Sequence, residues 1–262
     1  MPASLGPKPP PRGEDLPYDD GEPMETKRHR QQMNLLVDSL ADHWHGRDDV
    51  CVEGNMAVYF SETQARNNDF RAPDVFVVLD TVKKERKSWV VWEEEGRTPD
   101  LVIELTSPST EAVDRGKKKH VYARLLRVPM YVIYDPFSAA LEGWALGSHG
   151  SYELVARDAD GRLPCPQLGL SLGVRTGTFQ ETEAPWLRWF ADGRVVPHSS
   201  ELVGGAQLER AVALQHAEAT ELRARDAERR LQEVERRAEA AEQRAREAEE
   251  RARAAEAERS RD

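Results

Sequence analysis

Three stretches of the chain bring together residue types that could do chemistry: RAPDVFVVLD (71–80), DLVIELTSPST (100–110) and DRGKKKHVYA (114–123), with VPMYVIYDP (128–136) close behind. Asp74 opens one apolar run and Glu104 sits inside another, so two carboxylates fall at one edge of a sheet. A lysine one helix later can reach the same point. Oxygen ligands of this kind suit Mg²⁺ or Mn²⁺, hard ions that bridge carboxylates and phosphate oxygens. A lysine beside them can orient or deprotonate an attacking water, or stabilise charge developing on a phosphate. A plain structural reading also covers these residues, with Glu104 pairing with Arg115 or Lys118. Ser107 and Ser109 have no histidine in a triad-like pattern and read as turn and cap residues. Asp100 and Glu93 to Glu95 read as solvated strand-end charges.

The elements that must position these groups follow from periodicity. METKRHRQQMNLLVDSLADHW (24–44) spaces Met33, Leu35, Leu36, Leu40 and Trp44 as an amphipathic helix does. Short β-rich runs follow, NMAVYF, DVFVVLD, SWVVWEE and DLVIELT, each bounded by polar or turn-forming residues. Trp89 and Trp92 are three apart on one of these strands, hence on opposite faces, and form no stacking platform. STEAVDRGKKKHVYARLLR (109–127) reads as a helix capped by Ser109 or Thr110, with Val113, Val121, Leu125 and Leu126 inward. Asp114, Lys118 and Tyr122, four residues apart, share one of its faces. PMYVIYDP is a buried strand, and LEGWALG with SYELVARD makes a hairpin. This order predicts an α/β or α+β sandwich.

Composition divides the 262 residues. Residues 1–23 hold seven of the sixteen prolines and read as a disordered arm. A globular domain spans 24–197, and 198–205 is a linker containing Gly204 and Gly205. Residues 206–262 carry 13 Arg and 15 acidic residues in an alanine background, with three tandem heptads at 236–256. Their a/d seam from Ala217 to Ala255 is alanine except at Thr220, Leu231 and Val234, which buries little area. A coiled coil and a lone charged helix are both compatible with it. Cys51 and Cys165 have no metal-ligand spacing and fit reduced thiols in a cytoplasm. No apolar run is long enough to span a bilayer, and the N-terminus has no secretory pattern. The net charge of −10 counts against casual binding to nucleic acid.

The ordered motifs PD-V-x-V-V, V-I-E-L-x-S-P-S-T, D-x-x-x-K-x-x-x-Y-A and V-P-x-Y-x-I-x-D-P resemble the Uma-type family of bacterial restriction endonucleases, long known only as a domain of unknown function. The likeness runs at motif level from the first helix to about Asp135. It implies a PD-(D/E)XK restriction-endonuclease-like mixed sheet flanked by helices, followed here by the long C-terminal helix. It also implies hydrolysis of DNA phosphodiesters with Mg²⁺ or Mn²⁺, held by Asp74, Glu104 and the backbone carbonyl of Leu105. In the general nuclease pattern a lysine stands two residues after the glutamate; that position here is Thr106, and Lys118 from the following helix takes the role instead. Asp114 would hold Lys118 or contact the water, and Glu25 would be the supporting carboxylate of the first helix. His29 reads equally as a surface histidine. DNA is the implied partner, with a homodimer through the nuclease domain or the C-terminal helix, and no membrane. The alternative is a catalytically silent module of the same fold that oligomerises through its tail, which the acidic charge and the lack of an obvious basic groove favour.

Overall fold

The computed structural model describes residues 10–12, 14, 16, 26–66 and 70–259. Glu25 and most of the Pro-rich arm lie outside the described residues. Of the described arm residues, Leu16 is buried against Ala57, Tyr59 and Val90 and the Pro11 carbonyl accepts the Trp92 indole N–H at 3.1 Å, while Pro10, Arg12 and Glu14 are exposed.

The elements in chain order are α1 (Lys27–His43), β1 (Val50–Glu53), β2 (Val58–Tyr59), α2 (Glu62–Arg66), β3 (Val75–Leu79), β4 (Trp89–Val90) and β5 (Leu101–Leu105). The helix α3 then comes in four contiguous pieces, Glu111–Val113, Asp114–Lys118, Lys119–Val121 and Tyr122–Leu126, the second and fourth wound as π-helix. After it come β6 (Met130–Tyr134), β7 (Leu141–Leu146), β8 (Tyr152–Leu154), β9 (Leu163–Cys165), β10 (Leu170–Phe179), β11 (Thr182–Ala191), β12 (Arg194–Val195) and α4 (Ser199–Arg259).

The main sheet is mixed, in the order β1-β3-β5-β6-β7-β8. Only β5 and β6 are parallel, and α3 is the crossover that a parallel pair requires. A second sheet, β12-β11-β10-β9, is antiparallel. Side-chain alternation sorts the main sheet into two faces. Val75, Val77, Leu101, Ile103 and Leu105 pack with Leu36 and Leu40 of α1 and with Leu172, Leu187 and Trp189 of the second sheet. Phe76, Val78, Val102, Tyr131 and Ile133 pack with Val121, Tyr122 and Leu126 of α3. Glu104 shares the parity of Val102, so it points toward α3. The α1 helix is pinned by Gln32, whose amide donates to the Leu187 carbonyl at 3.0 Å and accepts its N–H at 2.9 Å.

Several expectations change. SWVVWEE is not one strand: β4 stops at Val90 and Val91–Glu93 turns as a 3₁₀ helix. Trp89 and Trp92 therefore belong to separate clusters because the chain bends between them, not because a strand alternates. Within α3, Val113 and Leu125 are 46% and 58% exposed, since the π turns shift the helical register. At residues 198–205, the expected linker, α4 starts at Ser199 and continues through both glycines, and the chain divides into two compact units after Ser200. In α4 the described seam residues Ala217, Thr220, Ala224 and Ala227 are exposed. Among the described residues no helix is long and apolar enough to cross a membrane.

Candidate active site

The antiparallel register Val75↔Ile103 brings Asp74, the residue before β3, opposite Glu104 in β5. One Asp74 oxygen accepts the Leu105 N–H at 2.7 Å, which fixes the side chain across the strand end. The backbone of Asp74 is held from behind by a tight turn. A Cβ on Gly54 would lie 2.8 Å from Met33 Sδ and 3.1 Å from the Asp74 carbonyl oxygen, so a side chain there would displace the Met33 thioether and crowd the Asp74 backbone.

Glu104 is fully buried and both its oxygens are engaged. Lys118 Nζ lies 3.0 Å from Oε2, and the Tyr122 hydroxyl donates to Oε1 at 2.8 Å. The same ammonium is 2.9 Å from Asp114 Oδ1. The Tyr131 hydroxyl donates to the Asp114 backbone carbonyl at 2.9 Å, and its ring lies 5.2 Å from that of Tyr122. Asp74, Glu104, Lys118 and Asp114 are thus one cluster between the main sheet and α3.

The winding of α3 makes this alignment. In an α-helix four residues turn about 400°, so a spacing of four drifts around the helix. The wider π turns offset that drift, and Asp114, Tyr122 and Leu126 are buried one above another with Lys118 between them. Ser107 starts the helix: its N–H donates to Thr110 Oγ1 at 3.0 Å, and its hydroxyl accepts from the Thr110 N–H at 3.3 Å. The cap expected of Ser109 or Thr110 is not made: Thr110 precedes the helix without a side-chain capping bond, and the Ser107 hydroxyl accepts a backbone N–H instead.

The electrostatics follow from burial. Burial first, then the charge on Glu104, hold the Asp74 carboxyl well above the usual carboxylate range, against the Leu105 N–H and Lys118. Burial works to lower the Lys118 pKa, and Glu104 and Asp114 more than offset it, so the ammonium keeps its proton above the ordinary lysine range. Burial also raises Tyr122 and Tyr131, which stay neutral phenols. With one cation among three carboxylates, the site requires a proton on Asp74 or a further cation.

His29 corrects the reading of a surface histidine. It is buried, with Nε2 3.1 Å from the Leu105 carbonyl and Nδ1 2.9 Å from Thr26 Oγ1. A carbonyl only accepts, so Nε2 carries the hydrogen. The signal was present in the spacing of His29, Gln32, Leu36 and Leu40, the buried stripe of α1. Tyr122, which the fourfold spacing places on the face of Asp114 and Lys118, donates its hydroxyl to Glu104. Thr106, at the position of the usual lysine, is buried with no hydrogen-bond partner for its hydroxyl among the described residues. Asp100 accepts the Leu79 N–H at 2.7 Å, and Glu94 is paired with Arg86 and Lys84 instead of being solvated. Among the described residues no group of three or more His, Cys, Asp or Glu is arranged to hold a metal.

A mixed sheet flanked by helices, with acids at adjacent strand ends and a lysine from the crossover helix, defines a mixed α+β protein. The chain belongs to the Uma2 family, whose model, described as "Putative restriction endonuclease", matches residues 7–177. An uncharacterized protein of Synechocystis sp. is 28% identical over 149 residues, covering 57% of this chain and 73% of its own length. A crystal structure from Anabaena variabilis, described as "a putative nuclease belonging to DUF820", matches with a TM-score of 0.40 at 16% identity, over 57% of this chain and 80% of that one.

Proposed function

We propose that the chain is a divalent-metal-dependent endonuclease that hydrolyses DNA phosphodiesters at Asp74, Glu104 and Lys118. The observation that carries this reading is the Lys118 ammonium 3.0 Å from the Glu104 carboxylate, supplied by α3 where Thr106 leaves the usual lysine position empty. The donor set fits a hard cation. Asp74 and Glu104 are buried carboxylates, burial and then the Glu104 charge raise Asp74, and the carbonyl of Leu105, whose N–H donates to Asp74, would be the third oxygen. A Mg²⁺ or Mn²⁺ held there would make a bound water more acidic and offset charge on the phosphate.

The protein groups have separable tasks. Asp74 must give up its proton before both carboxylates can act as ligands. Tyr122 holds Glu104 in place from one oxygen, leaving its orientation fixed. Lys118, whose ammonium is held between Glu104 and Asp114, would serve as a fixed positive charge for the scissile phosphate. Asp114 holds that ammonium in position. Attack of water oxygen on phosphorus, in line with the 3′ oxygen, breaks the P–O3′ bond and yields a 5′-phosphate and a 3′-hydroxyl. The water gives up a proton and the departing oxygen takes one.

One observation favours a catalytically silent module instead: both Glu104 oxygens and the Leu105 carbonyl already have protein partners. Calorimetric titration of Mn²⁺ and Mg²⁺ into the protein and into Asp74→Ala/Glu104→Ala, with plasmid nicking alongside, separates the two. Binding and nicking that vanish together in the variant support the nuclease. Absence of metal binding in the wild type would leave the silent module.

A further inference from the structure

The outward face of α3 takes no part in the cluster just described. Residues 115–127, RGKKKHVYARLLR, contain six lysines and arginines and no acid, in a chain of net charge −10. Lys118 is the one that reaches Glu104. Lys117, His120, Arg124 and Arg127 are exposed. Lys117, His120 and Arg124, three and four apart, align along the helix, and Arg127, the left-handed residue that closes it, follows at its C-terminal end. From Lys117 to Leu126 the helix rises at most about 14 Å, close to the rise of four nucleotides at about 3.4 Å each along one strand.

The surroundings keep this stripe in place and leave its charge uncancelled. Lys119 Nζ lies 3.6 Å from the centre of the Trp144 ring, and Arg124 donates to the His149 carbonyl at 3.1 Å. Among the described residues Lys117, Arg124 and Arg127 pair with no carboxylate, whereas Arg115 is held between Glu111 and Glu142. Beside the stripe Gly116, Ala123 and Tyr152 line a shallow hollow of about 250 Å³. A Cβ on Gly116 would meet nothing within 4 Å, so the surface there is open to an approaching backbone.

We infer that the exposed face of α3 is the surface that binds the phosphate backbone of duplex DNA, through Lys117, Arg124 and Arg127. The inference rests on the nuclease reading of the inward face. One helix thus presents Lys118 to the scissile phosphate and its outer cations to flanking ones, and this supplies the basic surface that the composition hides. Phosphate contacts of this kind fix register without reading sequence.

The test is fluorescence anisotropy of a labelled DNA duplex with the full chain in EDTA, repeated across a salt series. Lys117→Ala/Arg124→Ala/Arg127→Ala should weaken binding about tenfold or more, and the slope of log affinity against log salt should become shallower by about 3, near 0.9 for each lost contact. Lys83→Ala/Arg175→Ala/Arg194→Ala removes the same charge from exposed sites elsewhere and should retain wild-type affinity. Equal effects of the two triples, or wild-type affinity in the α3 triple, would overturn the surface. Preference for duplex RNA through the same residues would overturn the choice of DNA. Because the assay needs no cleavage, the two readings fail separately. DNA held through this stripe by a protein that never nicks plasmid keeps the surface and discards the nuclease, while unimpaired nicking and binding by the α3 triple does the reverse.

Discussion

The chain uses the same local device in two regions, an acid followed four residues later by a base on a helix. In α4, Glu221 with Arg225 and Glu233 with Arg237 meet at 2.6 and 2.5 Å, with side chains 60% or more exposed. In α3, Asp114 and Lys118 meet at 2.9 Å, with the aspartate side chain 1% and the lysine 26% exposed. The distances are alike and the consequences are not. An exposed pair of this spacing contributes about 0.3–0.5 kcal/mol and is screened by salt. Breaking a buried pair costs about 3–5 kcal/mol, because the surviving charge is left without water or partner. Surroundings, not contact length, decide what an ion pair does. In α4 the pairs support a solvated helix; in α3 the pair holds a charge ready beside two carboxylates.

The comparison is broken most forcefully at Lys118. Lys118→Met should lower stability by about 3–5 kcal/mol and cut plasmid nicking by about 10²-fold or more, read by thermal unfolding and by the nicking rate. A loss below about 1 kcal/mol would mean the α3 pair behaves like those of α4. Tyr122→Phe removes one donor from a buried carboxylate and should cost about 1–3 kcal/mol, with weaker Mn²⁺ binding in calorimetry. Unchanged metal affinity would reduce Tyr122 to packing.

Asp74→Asn sharpens the contrast through pH. The folded Asp74 carboxyl takes its proton at higher pH than the unfolded one, so the folded state binds more protons across that window. Its contribution to the stability of the metal-free protein therefore falls as pH rises out of the ordinary carboxylate range. The variant should melt a few degrees above wild type at neutral pH without metal, with the gap closing toward low pH; a constant gap would contradict the raised carboxyl. The smallest effect is expected in α4, where Glu221→Ala and Glu233→Ala should each cost about 0.5 kcal/mol or less and leave nicking intact. Loss of nicking there would give the tail a part in the chemistry.

The sequence made some of this legible. The apolar runs around Asp74 and Glu104 identify β3 and β5, and period-3.6 spacing identifies α1. The fourfold spacing of Asp114, Lys118 and Tyr122 placed them on one face. What it hid were features of tertiary origin. β1 at DDVCVEG is too short to stand out, β10 interrupts its apolar pattern with exposed Arg175, Thr176 and Thr178, and β11 carries a proline and the buried, charged Arg188. The inward set of α3 was misjudged at Val113 and Leu125 because π winding is set by packing against the sheet, not by propensity. The basic stripe escaped notice because whole-chain charge averages it against 47 acidic residues.

The two π segments of α3 also make the helix a vernier. Its bottom graduation is Asp114 and its top is Leu126, and the reading depends on the number of residues between them. Removing Gly116, an exposed residue with open space around it, would leave the charge, every side chain and both flanking strands untouched. It would nonetheless advance everything after it by about 100° around the axis, carrying Lys118 off its mark. A deletion that any tally of contacts scores as harmless would be, for this protein, an error of alignment.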